Sequence, residues 1–214
     1  MKTSIDSIML ILVVTNLLLL GFSQLRSSVR AVAIQGFALG LLPLMARPGG
    51  VAFWTAFLVL MTIGLKGVVF PRLMMTALRD SEVSREKRPQ VGHSMSMLAG
   101  FLALAGAAWL SSRLPVFPGS PSTLAAPVSF FMIFVGLFII VTRNHAVNQI
   151  VGYLVLENGI YVFGVVLLHE LPLLVELGVL LDAFAAVFVM GVAVYHINSE
   201  FDHVEVDQLD MLKG

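Results

Sequence analysis

The stretch NQIVGYLVLENGIYVFGVVLL, residues 148–168, is apolar over the length of a membrane crossing and carries one carboxylate, Glu157, near its middle. The next run, LPLLVELGVLLDAFAAVFVMGVAVY at 171–195, repeats the pattern with Asp182. A hydrocarbon core of about 30 Å takes about 20 apolar residues to cross as a helix. An ionised acid at its centre costs about 2.5–3.5 kcal/mol on insertion scales, and membrane helices that keep one usually do so for proton or ion traffic. These two segments point both to the fold class, membrane helices, and to the first place to look for chemistry.

The rest of the chain has the same character. Of 214 residues, 58% are hydrophobic and 12% charged, and the mean hydropathy is +0.94, well beyond the composition of a water-soluble domain. Apolar runs predict an all-α polytopic membrane protein of about seven transmembrane helices, near 5–22, 29–46, 51–74, 94–111, 124–142, 146–168 and 171–197. The first run lacks an Ala-x-Ala-like cleavage site and leads straight into the second, so it is expected to stay in the mature chain.

Charge placement gives an orientation. Arg26, Arg30, Arg72, Arg79, Arg85, Lys87, Arg88, Arg143 and Lys213 fall on one side, Lys2, Arg47 and Arg113 on the other, and Lys66 lies within a segment. The positive-inside rule then puts the N-terminus outside and the C-terminus in the cytoplasm. RDSEVSREKRPQVGH at 79–93 reads as a solvated cytoplasmic loop, with partner docking as the minor alternative. LPVFPGSPSTLAAP at 114–127 has four prolines and reads as a stiff external linker. It divides a four-helix membrane part, residues 1–123, from a three-helix part, residues 124–214, that ends in a short acidic tail. The tail is too short to form a core of its own and suits packing against a neighbouring subunit.

Within the spans, five residues are candidates for proton transfer: Glu157, Asp182, Lys66, Glu176 and His145. At 1.5 Å per residue, Glu157 lies roughly 14 Å along its helix from Asn148, and Asp182 roughly 17 Å along the next from Leu171. Both are near the midplane, entered from opposite faces. Neighbouring helix axes stand about 8–10 Å apart, within reach of direct contact or a short water chain. The alternative for each acid is a neutral carboxyl that serves only as a hydrogen-bond donor between helices. Lys66 either snorkels toward Arg72 and the interface or acts electrostatically on the acids. Glu176 is nearer the outer boundary and about 120° around its helix from Asp182. His145, beside Arg143 and Asn144, is either a plain interfacial residue or a proton exchanger near neutral pH.

Other chemistry is disfavoured. With no cysteine there is no thiolate metal site and no iron–sulfur ligation by this chain. The five histidines show no HExxH spacing, and phosphate-binding glycine motifs and nucleophile elbows are missing. Zero formal charge gives no basis for binding nucleic acid.

Several motifs now resemble a known family. RNHAVNQIVGYLVLENGIYVF, 143–163, resembles the second-helix signature of the NuoK-type subunit of respiratory complex I, with Glu157 in the place of its membrane glutamate. LLDAFAAVFVMGVAVYHIN at 180–198, followed by VDQLDMLKG, is similar to that family's last helix and tail, with Asp182 in place of a second glutamate. Over its whole length, including LKGVVFPRLM (65–74), YLVLENG (153–159) and VELGVLLDAF (175–184), the chain resembles the HyfE-type component E subunits of group 4 energy-converting nickel–iron hydrogenases and formate hydrogenlyases. The resemblance implies a multi-pass subunit of the inner (cytoplasmic) membrane, beside antiporter-like subunits, a membrane anchor subunit and peripheral hydrogenase subunits. It implies a nickel–iron centre and iron–sulfur clusters in those partners and none here, with this chain lending carboxylates to proton or sodium translocation. A structural adaptor without a proton path and a small NuoK-like subunit of a multi-subunit cation/proton antiporter are the alternatives.

Overall fold

The computed structural model describes residues 2–22, 24–46, 53–80, 91–114, 122–144 and 146–167. The expected seventh segment with Glu176 and Asp182, most of the loop at 79–93, most of the proline linker, the acidic tail and His145 lie outside the described residues. Every described element is a helix. This follows from the apolar runs, because in a medium without water a single span must satisfy its backbone polar groups internally.

The elements are α1 (Lys2–Gly21), α2 (Leu25–Ala46), α3 (Phe53–Thr62), a π-helical segment (Ile63–Val69), α4 (Phe70–Asp80), α5 (His93–Arg113), α6 (Ala125–Thr142) and α7 (Ala146–Leu167). Six of the seven expected segments are therefore helical. Among the described residues, five spans are long and apolar enough to cross a membrane: Lys2–Gly21, Leu25–Met45, Val59–Thr76, His93–Arg113 and Ala125–Thr142. α7 matches them in length, with 22 residues, and carries Asn148, Gln149, Glu157 and Asn158 among its apolar residues.

The third span stays helical through Pro71. Thr62 and Phe70, at the ends of the π segment, both keep right-handed helical backbone angles, so α3, the π segment and α4 form one continuous rod. Pro71 has no N–H to continue the i→i−4 ladder, and the turns before it are π-helical, with Phe70 N–H bonded to Leu65 O.

α1, α2, α7 and α6 contact one another in a closed ring, α6 and α7 most extensively. The rod flanks α2 on one side, and α5 flanks α1 and α6 on the other. Polarity is inverted relative to a water-soluble bundle. Leu10, Val14 and Leu18 on α1, and Leu102 and Trp109 on α5, are exposed, whereas Asn16, Gln35, Lys66, Glu157 and Asn158 are buried. That distribution suits a lipid exterior around a polar interior.

Two close approaches hold the ring and the rod together. Gly136 on α6 meets Gly152 on α7, where a side chain on the first would stand 2.6 Å from the carbonyl oxygen of the second. On α2, Gly36 and Gly40 are spaced as a GxxxG pair, which lets helix backbones come together. A Cβ on Gly36 would lie 2.6 Å from the backbone carbonyl carbon of Lys66, and one on Gly40 would run into the Ile63 side chain. Gly36→Val is therefore expected to push the rod off α2 and destabilise the fold by about 1–3 kcal/mol. The check is the thermal midpoint of the solubilised protein, which should fall clearly for Gly36→Val and stay at the parent value for Gly64→Ala, since a Cβ at Gly64 meets nothing within 4 Å.

The connections are tied down by polar contacts. The Arg143 guanidinium, buried in the turn between α6 and α7, donates to Leu20 O at 3.1 Å. It thereby satisfies a carbonyl at the end of α1 that has no partner within its own helix. Near the opposite end of α1, Ser122 donates to Asp6 and accepts the Leu124 N–H at 3.1 Å.

Candidate functional site

The π segment carries Lys66 and α7 carries Glu157, 91 positions apart in sequence and joined in the interior by a hydrogen-bonded ion pair with Nζ to Oε1 at 2.7 Å. Their side chains are only 3% and 2% exposed. Lys66 thus stands against Glu157, one of the two acids singled out in the sequence. Its ammonium is held inside the bundle and does not snorkel to the interface.

Local structure explains the meeting. Lys66 stands between Gly64 and Gly67, which carry no side chains, and Gly36 lets α2 close directly on the Lys66 backbone. On α7, Glu157 and Tyr161 are four residues apart and share a face, with Asn158 one step around. The ammonium reaches all three. It donates to Glu157 Oε1 and to Asn158 Oδ1 at 3.2 Å, and it lies 5.2 Å from the centroid of the Tyr161 ring, within the range of cation–π attraction.

The polar contacts continue away from the pair. Asn158 Nδ2 donates to Gln35 Oε1 on α2 at 3.3 Å, and Gln35 Nε2 donates to Thr15 Oγ1 on α1 at 3.1 Å. Thr15 donates to Ile11 O at 2.8 Å, with Leu12 O as a second acceptor at 3.0 Å. Next to it, Asn16 Nδ2 donates to Leu12 O at 2.6 Å. A buried polar band thus crosses four elements, α7, the π segment, α2 and α1.

Of the five candidates from the sequence, the structure brings Glu157 and Lys66 together; Asp182, Glu176 and His145 lie outside the described residues. Sequence reasoning missed Asn158, Tyr161, Gln35 and Thr15. The available signal was that Gln35 and Thr15 are polar residues inside apolar runs, and that Asn158 directly follows the acid already singled out. Among the described residues no group of three His, Asp or Glu side chains stands where it could hold a metal ion.

A buried carboxylate within 2.7 Å of a buried ammonium can hold a proton on either partner or pass it to a third group, and the energy of each state depends on the other's charge. Residues 124–214 match the family described as NADH-ubiquinone/plastoquinone oxidoreductase chain 4L. An uncharacterized protein of Mycobacterium tuberculosis is 33% identical over 207 residues, covering 94% of this chain and 92% of that protein. Hydrogenase-4 component E of Escherichia coli K12 is 30% identical over 151 residues, covering 70% of this chain and 69% of that protein. Hydrogenase-4 component E of Shigella flexneri matches to the same extent. No solved structure matches the chain.

Proposed function

The chain belongs to the hydrogenase-4 component E family, a membrane subunit of a complex I-like assembly, and from that premise we propose that its Lys66–Glu157 pair takes part in moving protons or sodium ions across the membrane. The single observation that carries this reading is the buried ion pair itself. A charged couple inside a bilayer-spanning bundle is expensive to keep, and such residues mark ion pathways. Glu157 exchanges the proton, and the Lys66 charge held beside it sets how readily it does so. Asp182 receives the proton or passes it on from the neighbouring helix.

In this reading the chain crosses the inner membrane seven times with its N-terminus outside. It stands beside antiporter-like and anchor subunits, and the nickel–iron centre and iron–sulfur clusters belong to a peripheral arm. The kinship spanning both halves of the chain supports a hydrogenase-type assembly. A second reading, in which the pair is a strut and the chain a structural adaptor, has in its favour that Lys66 and Glu157 pair with each other within this one chain.

Purifying the membrane complex tests the setting: a companion nickel–iron subunit supports it, and antiporter subunits alone would replace it with a cation/proton antiporter. Comparing Asp182→Asn with Glu176→Gln in sealed vesicles tests the route. Asp182→Asn is expected to lower ion movement per turnover by at least about tenfold, and Glu176→Gln to leave it near the parent value. The reverse pattern would make Glu176 the partner of Glu157.

A further inference from the structure

The hydrogen bonds from Lys66 to α1 all run in one direction, and both ends of the chain require it. Lysine can only donate, and the backbone carbonyl of Ile11 can only accept. At the α1 end, the single hydroxyl hydrogen of Thr15 is committed to a backbone oxygen, so Gln35 must bring an N–H to Thr15. Its carbonyl then faces α7, and Asn158 must bring its own N–H to that oxygen. What remains of Asn158 to face Lys66 is its carbonyl. Starting from the ammonium gives the same assignment, so the orientation of both amides follows from the network.

Among the described residues the lysine therefore has two acceptors of different kinds. Glu157 loses its charge whenever it takes up a proton. Asn158 Oδ1 is neutral in every state, and its direction is fixed by α1 rather than by Glu157. Polarisation along a chain of aligned hydrogen bonds strengthens each member, and here every carbonyl points its negative end at the ammonium. Amide nitrogens also hold their hydrogens firmly, so the chain passes orientation on to Lys66 while giving a proton no route into α1.

We propose that Thr15, Gln35 and Asn158 form a one-way hydrogen-bond arm, anchored on α1, that keeps the Lys66 ammonium in place while Glu157 gains and loses its proton. These three are positioning residues. The proposal rests on the reading of Glu157 as a proton-exchanging group.

The test is ion movement per redox turnover by the assembled complex in sealed vesicles. Thr15→Val keeps the shape and removes the hydroxyl, and it is expected to lower the ratio about fivefold, the factor for one lost hydrogen bond, with assembly unchanged. Thr15→Ser should restore the parent ratio. Gln35→Met should fall as far as Thr15→Val, and the two together no further than either alone, because one broken link already releases the arm. A parent-level ratio for Thr15→Val or Gln35→Met, losses that add, or a Thr15→Ser as poor as Thr15→Val would each overturn the arm. So would failure of both Thr15→Val and Gln35→Met to assemble, which would make the chain a folding element. Glu157→Gln, run alongside, separates the two levels. Ion movement retained in Glu157→Gln would remove the relay and the arm together, and ion movement lost there but unchanged in the arm variants would remove the arm alone.

Discussion

Glu157→Gln is expected to leave the complex assembled and its redox chemistry running, while ion movement per turnover falls by roughly a hundredfold. Glutamine has nearly the shape of glutamate and keeps a carbonyl oxygen where Oε1 accepts from Lys66 at 2.7 Å. What it loses is the ability to take and release a proton, a function that typically accounts for a factor of about 10² to 10⁴ in a proton-transfer step. It also loses the charge opposite Lys66, while Asn158 Oδ1 and the Tyr161 ring stay beside the ammonium. The measurement compares hydrogen or electron turnover with the ion gradient formed by the same vesicles. Turnover and gradient both at parent levels would end the relay reading. Loss of the assembled complex would transfer the pair to a structural role.

The fold was legible where the chain is monotonous. Six of the seven apolar runs are helices, with ends close to those expected except that the third runs on to Asp80, because a span without water has few alternatives. Where the helix departs from regularity, the sequence offered only part of the reason. Pro71 has no N–H for a regular ladder, but nothing in LKGVVFPRLM says that the turns before it are π-helical. The Gly36–Gly40 spacing was present in GFALG, yet which helix it faces depends on how α2 and the rod come to lie together.

The site was half legible for the same reason. Glu157 and Lys66 are conspicuous because a charge in an apolar run is costly wherever it points. Their pairing was not, since 91 residues separate them and hydropathy carries no information about which helices touch. Gln35 and Thr15 were less visible still. A single amide or hydroxyl in a span can bond within its own helix, as Asn16 Nδ2 does to Leu12 O. Only the three-dimensional contacts distinguish a residue bonded locally from one bonded across helices.

Lys66→Met is expected to destabilise the protein by about 3–5 kcal/mol, the usual cost of breaking a buried pair by removing one partner. Glu157 then stays buried without its cation, and Asn158 Oδ1 loses the donor that meets it at 3.2 Å. Adding Glu157→Met should recover most of that loss, because two packed apolar side chains suit a lipid-embedded interior at least as well as a paired charge. Recovery should stop about 1–3 kcal/mol short, the cost of the unsatisfied Asn158 oxygen. Thermal midpoints of the solubilised complex give the cycle, and a double variant no more stable than Lys66→Met would mean that the two residues do not form one energetic unit. Ion movement separates the two readings of the site. If the pair is only a strut, the stabilised double variant recovers the parent gradient along with its midpoint. If Glu157 exchanges a proton under the influence of Lys66, the double variant is stable, assembled and unable to move ions, which places the cost of keeping two charges in the membrane on function and not on folding.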